Sequence, residues 1–175
     1  MNKAEELSKN IKEATREAFK KALAEHGKDQ LCGFALYTDE SAMSLGATVN
    51  TDEHFKAVTK RRPKNKVSYQ WSPPEWKEEG FEEEIFEEIN DELYDYSEEL
   101  GDNEKEFDEF TQAFFEECVK ALEDLKPEIP ADINENFVLV FDISDYEDTD
   151  RLVAWAKRLN GAEKTESFAE LMKDF

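Results

Sequence analysis

The sequence contains little of what enzyme sites are usually built from. Its 175 residues include six glycines, two cysteines and two histidines. It has no Gly-rich phosphate-binding loop and no Gly-x-Ser-x-Gly pattern. His26 and His54 have no partner at metal-ligand spacing, and Cys32 and Cys118 are too far apart for a spacing motif. We therefore expect no catalytic residue, no cofactor and no metal site.

Positive charge and long apolar stretches are also scarce. The 22 Lys and Arg residues stand against 44 Asp and Glu residues, so the formal net charge is −22. Such a chain is repelled by nucleic acid and by anionic membranes, and it favours basic partners. No run approaches the roughly 18 apolar residues of a membrane-spanning helix, and the amphipathic N-terminus has no apolar signal core. Because both cysteines lie on apolar stripes, we expect buried free thiols and a cytoplasmic protein.

What the sequence does contain predicts an α+β fold in a single domain, residues 1–175. Hydrophobic residues make up 39% of the chain, which is enough for a sizeable core at this length. Residues 31–50 show a period of two on both sides of a turn-forming segment and predict a β-hairpin. Alternation near 66–71 and a continuous apolar run near 137–142 predict two more strands, the second in the interior of the sheet. We expect a small, mostly antiparallel sheet packed against amphipathic helices.

Apolar residues at three- and four-residue spacing predict the helices. Asn50 or Thr51 is a suitable cap for a short helix, and Asp148 or Thr149 for a later one. Gly27 and Gly161 are natural helix stops. The helices are predicted over residues 3–26, 51–60, 81–100, 104–125, 149–160 and 165–173.

The acid block, defined here as Glu78–Glu109, concentrates the excess negative charge. It contains seventeen acidic residues and a single lysine, so its local charge is −16. The block is either a solvated helical face or a docking surface for something basic. Like charges four residues apart cost a helix about 0.2–0.5 kcal/mol per pair, and a helix that needs only solubility would intersperse lysines. The carboxylates predicted to project away from the apolar stripe include Glu83, Glu84, Glu87, Asp91 and Asp95.

The segment Trp71–Trp76 places two tryptophans around a diproline. Prolines cannot donate to a sheet ladder, so the strand near 66–71 should end here. The tryptophans either pin this turn onto the sheet or form a rigid aromatic surface that anchors a partner or lines a pocket.

Three segments carry a resemblance to a known family. They are Phe34–Asp39 followed by Asn50 and Thr51, then Trp71–Trp76, and then Ile143–Asp145 with Arg158–Asn160. Together they resemble the bacterial family known as domain of unknown function 4303, over nearly the whole chain. The resemblance implies a small soluble α+β protein with no assigned reaction. Some members resemble, in setting, immunity proteins that neutralise secreted bacterial toxins.

The leading hypothesis is a binding protein of the immunity type. It predicts a basic protein partner, for example a toxin, that docks on the acidic helical surface. The predicted partner-binding residues are Glu83, Glu84, Glu87, Asp91 and Asp95, with Trp76 as an aromatic anchor.

Three alternatives stay open. The acid array could mimic a phosphate backbone and occupy a nucleic-acid-binding protein. The chain could bind a small ligand, or be an enzyme, through a pocket near the Trp71/Trp76 turn. It could also be a regulatory or scaffold module without chemistry.

Overall fold

A computed structural model describes residues 2–175 and shows an α+β fold built around one sheet. Its strands are β1 (Leu31–Asp39), β2 (Leu45–Thr51), β3 (Glu78–Glu79) and β4 (Val138–Ser144), in the order β3-β2-β1-β4. β2 pairs antiparallel with β1 and with β3, and β4 pairs parallel with β1. The predicted fold class, the hairpin and the last strand are confirmed.

In the described part of the chain, seven α-helices surround the sheet. They are α1 (Lys3–His26), α2 (Asp52–Arg61), α3 (Lys66–Trp71), α4 (Glu87–Leu100), α5 (Glu104–Glu123), α6 (Thr149–Asn160) and α7 (Ala162–Met172). Thr51 caps α2 and Asp148 caps α6, each by accepting a backbone N–H through its side chain. Among the helices of residues 2–175, none is long and apolar enough to cross a bilayer.

The predicted strand near 66–71 is wrong, because this segment forms α3. A 3₁₀ turn over Pro63–Asn65 leads directly into the helix. Val67 and Trp71 lie four residues apart and so share one helical face, whereas Tyr69 points to the opposite side and packs with Cys32. Three apolar residues at every second position fit this two-sided helix as well as a strand.

Two further expectations need correction. The helix predicted from residue 81 begins as a 3₁₀ turn over Glu83–Phe86 and becomes α-helical only at Glu87. β4 is an edge strand and not an interior one. Its apolar run is explained by burial on both faces: Leu139 and Phe141 pack in one core cluster, and Val138 packs in the other.

The two faces of the sheet have separate cores. On the first face, Phe34 and Leu36 of β1 pack against the apolar stripes of α1 and α5. On the second face, Ala35 of β1 packs with Trp71 of α3 and Phe168 of α7. The carboxylates of the acid block therefore lie outside the first core, and the tryptophan turn lies over the second.

Candidate functional site

The acidic face is the first candidate site, and it comprises five carboxylates. Glu83 and Glu84 lie in the 3₁₀ turn before α4, and Glu87, Asp91 and Asp95 lie on α4 itself. All five side chains are exposed. Ile89 and Leu93 are buried on the opposite side of α4, which holds the carboxylates toward solvent. Glu87, Asp91 and Asp95 thus share the solvent-facing side of α4, and Glu83 and Glu84 are exposed in the turn that precedes it.

Cations elsewhere in the chain leave the acidic face unneutralised. Within the acid block, Lys21 pairs with Glu82 at 2.9 Å and Lys3 pairs with Glu92 at 2.8 Å. Among residues 2–175, no Lys, Arg or His nitrogen lies within 4.0 Å of a carboxylate of Glu83, Glu84, Glu87, Asp91 or Asp95. The five charges remain available to a partner.

Like charges are stacked along α4. Glu87, Asp91 and Asp95 follow one another at four-residue spacing within the helix, so two adjacent pairs repel. Glu83 is also four residues from Glu87 in the sequence, but it lies in the 3₁₀ turn and outside the α-helix. No Lys, Arg or His among residues 2–175 pairs with these carboxylates to offset the repulsion.

Tyr94 is a surface residue that the sequence analysis missed. Its side chain is 57% exposed, and it lies three residues after Asp91 and four before Glu98 on the same side of α4. A large aromatic ring therefore lies among the carboxylates of the acidic face. Its signal in the sequence is its position outside the buried stripe of Ile89 and Leu93. Tyrosine is enriched among residues that dominate binding energies.

Trp76 is not on this surface. It is only 6% exposed, and its indole N–H donates to the backbone oxygen of Tyr69 at 3.1 Å. Its ring lies so close to Gly33 that a Cβ there would stand 2.9 Å from a ring carbon. In this structure Trp76 pins the diproline turn onto the sheet and presents no anchor to a partner.

A cavity on the second face of the sheet is the second candidate site, and we call it the Trp71 cavity. It has a volume of about 240 Å³ and lies between α3, β4, α6 and α7. Trp71 and Phe168 stack with their ring centroids 5.1 Å apart, and both line it. The indole N–H of Trp71 is buried without an acceptor among residues 2–175. Trp76 is not part of the lining.

Asp142 is the charged residue of the Trp71 cavity. Burial raises the pKa of its carboxyl to about 6, and the negative charge of Glu79 adds to the shift. Tyr37 of β1 is its partner in the parallel ladder, and burial raises the pKa of that phenol as well. Asp142 forms no ion pair and no side-chain hydrogen bond within residues 2–175. A carboxylate in this position can receive a cation or hold a proton.

The remaining titratable groups include two buried cysteines and one histidine. Burial raises the pKa of the Cys32 thiol to about 12 and that of Cys118 well above its usual value, so both are neutral thiols. The predicted buried free thiols are thus confirmed. His26 Nε2 lies 3.3 Å from a carboxylate oxygen of Glu78, with Glu25 beside it. These three side chains are close enough to share a metal ion, and His26 Nε2 is buried without a hydrogen-bond partner among residues 2–175.

Several polar side chains stabilise turns and strand ends of the fold. The Asp39 carboxylate accepts from the backbone N–H of Ser41 at 2.9 Å and shapes the hairpin turn. The Asn160 side chain accepts from the backbone N–H of Leu139 at 2.9 Å and donates to its oxygen at 2.7 Å, which closes the open edge of β4. Asn90 makes the same paired contact with Leu45 at the start of β2. These residues support the architecture and take no part in either candidate site.

Fold and surface together define an acidic α+β protein with helices on both faces of a mixed sheet. Helix α4 carries carboxylates beside an exposed tyrosine. The chain belongs to the family described as Domain of unknown function (DUF4303), whose family model matches residues 11–161. This confirms the resemblance carried by the three sequence motifs. No curated protein and no solved structure matches the chain.

Proposed function

We propose that this protein captures a basic protein through the acidic face, with Tyr94 beside Asp91. The observation that carries the proposal is the set of five exposed carboxylates without an intramolecular cation, together with a 57% exposed tyrosine one helical turn from Asp91. A lysine or arginine of the partner would pair with Asp91 and lie against the Tyr94 ring. Cation–π contacts of this kind contribute about 0.5–1 kcal/mol at exposed sites and more when they are desolvated.

The partner class follows from the charge. A net charge of −22 speeds encounter with a cationic protein and opposes encounter with nucleic acid or an anionic membrane. An immunity-type protein that occludes a basic toxin in the cytoplasm fits this chemistry. A second form of the proposal is that the carboxylates imitate a phosphate backbone and occupy a nucleic-acid-binding protein.

The experiment is a pull-down from the source cell's lysate at 0.1 M and 1 M salt, read by mass spectrometry. The Debye length falls from about 10 Å to about 3 Å over this range. A basic protein captured at low salt and released at high salt is the expected result. Excess duplex DNA then distinguishes the two forms of the proposal, because DNA displaces a partner whose nucleic-acid site is occupied and leaves a simply occluded partner in place.

Charge reversal locates the site. The triple substitution Glu83→Lys, Glu87→Lys, Asp91→Lys should abolish capture. A matched triple, Glu40→Lys, Glu147→Lys and Glu166→Lys, makes the same change in net charge at exposed positions outside the acid block. Equal capture by the two triples would show that only net charge matters and would remove the acidic face as the binding site.

Tyr94→Ala tests the aromatic contact of the acidic face separately from its charge. Truncation of a central aromatic typically costs about 2 kcal/mol or more of binding free energy, which corresponds to roughly a 30-fold weaker complex. Since the side chain is exposed, the thermal unfolding curve should be unchanged. Unaltered affinity in Tyr94→Ala would mean that the partner binds elsewhere on the face.

A further inference from the structure

The Trp71 cavity is large enough for a small organic molecule. An engineered cavity of about 150 Å³ holds benzene. By proportion, the 240 Å³ of the Trp71 cavity leave room for roughly ten non-hydrogen atoms. The cavity lies on the opposite side of the sheet from the first core, and none of its lining residues belongs to the acidic face.

Most of the cavity wall is apolar. Val140 of β4, Ala156 of α6 and Met172 of α7 surround the stacked rings of Trp71 and Phe168. Such a wall takes an aromatic or aliphatic body, and the faces of aromatic rings also attract a cation. A ligand for this site needs one apolar part that fits beside Trp71.

Asp142 gives the cavity a specific polar requirement. Its carboxylate has no pairing cation within residues 2–175, and the groups that face it from β1 and β3 are Tyr37 and Glu79. Neither group is positive, and Glu83, which acts on Tyr37, is negative as well. Taking an unpaired carboxylate out of water is costly. A ligand with a positive charge would relieve this cost.

We propose that the Trp71 cavity binds a small organic cation with an apolar body, whose ammonium group pairs with Asp142. The apolar body fills the space between Trp71, Phe168 and Val140. The ammonium donates hydrogen bonds to the carboxylate, and charge-assisted hydrogen bonds of this kind are about twice as strong as neutral ones. No other charged group is needed for recognition.

Three probes of matched size test this assignment. They are 2-phenylethylamine, 2-phenylethanol and phenylacetate, each titrated by calorimetry and by tryptophan fluorescence at pH 7.5 and 0.15 M salt. The amine should bind with one-to-one stoichiometry and at least tenfold more tightly than the alcohol, and phenylacetate should not bind. Equal affinities for amine and alcohol, or no saturable binding of the amine, would overturn the proposal.

Asp142→Asn isolates the charge. This near-isosteric change should reduce amine affinity to that of the alcohol and leave alcohol affinity within twofold. Glu147→Gln removes one exposed charge from the loop after β4 and serves as the control, with amine affinity unchanged within twofold. If Glu147→Gln weakens the amine as much as Asp142→Asn does, the attraction belongs to the net charge and the assigned site is wrong.

The pH dependence in the unaltered protein gives a second measurement, which needs no variant to fold. Since the pKa of Asp142 is about 6, its ionised fraction falls about tenfold between pH 7 and pH 5. Amine affinity should fall by about the same factor, while alcohol affinity stays constant. An amine affinity that does not change over this range contradicts pairing with Asp142.

Discussion

The substitution Asp91→Lys separates the stability of α4 from its proposed binding role. In the native helix, Asp91 lies four residues from Glu87 and four from Asp95, and both pairs repel. A lysine at this position makes both pairs attractive. Each interaction is worth about 0.2–0.5 kcal/mol, so two repulsive pairs replaced by two attractive ones should raise the free energy of unfolding by roughly 1–2 kcal/mol.

The assay is thermal unfolding of the two proteins at 20 mM and at 1 M salt. For a chain of this size, 1 kcal/mol shifts the unfolding midpoint by roughly 2–4 °C. Lysine is also a better helix former than aspartate, but that part of the gain does not depend on salt. We therefore expect a higher midpoint at low salt, most of which disappears at 1 M.

Asp91→Asn is the matched control, because it removes the repulsion without adding attraction. It should give about half of the salt-dependent gain. If Asp91→Lys lowers the midpoint at low salt, or if its gain is unaffected by salt, the carboxylates of α4 do not repel one another. The acidic face would then cost the helix no stability, and its charge would need no binding role to explain it. A more stable variant that no longer captures a partner would show that the native carboxylates serve binding.

Three further predictions concern the fold and its titration. Asn160→Leu leaves the backbone groups of Leu139 without partners at the edge of β4, so we expect chemical denaturation to show a loss of about 2–3 kcal/mol; a loss below 0.5 kcal/mol would contradict the edge contact. Gly33→Ala places a methyl group 2.9 Å from the Trp76 ring and should cost about 1–3 kcal/mol by the same assay, and an unchanged midpoint would mean that the turn moves freely. Because burial raises the pKa of Asp142 from 3.8 to about 6, the folded state binds the extra proton between these values and this residue lowers stability as pH rises through them. Asp142→Asn should therefore be more stable than the unaltered protein at pH 7, by about 3 kcal/mol, with the difference falling below about 1 kcal/mol near pH 4; a difference that does not vary with pH would refute the shift.

The sequence predicted an element correctly wherever its apolar residues recur at a regular period and pack in one core cluster. α1 and α5 each bury one continuous apolar stripe against the first core, so their 3.6-residue period predicted them almost to the residue. The hairpin was equally clear, because β1 and β2 alternate around a polar turn. The acid block was visible from composition, and its exposure followed from the stripe on the other side of α4.

Sequence patterns failed where a short segment faces two environments. α3 buries Trp71 in one cluster and Tyr69 in another, which reproduces the alternation of a strand over six residues. The aromatic anchor was assigned to the wrong residue. A diproline turn next to Trp76 gives no indication of whether its ring faces the sheet or solvent, and the position of Tyr94 outside the apolar stripe of α4 was overlooked.

The sequence by itself determined the class of fold, the helices with long stripes, the family and the excess of negative charge, because each of these is a local or summed property of the chain. Only the tertiary structure decided which carboxylates keep a cation, since Lys3 and Lys21 of α1 reach Glu92 and Glu82 from more than 60 residues away. It also created the Trp71 cavity, where α3, β4 and α7 meet across about 100 residues of chain. Contacts between segments so distant leave no periodic trace in the sequence, because each depends on how the helices pack on the two faces of the sheet.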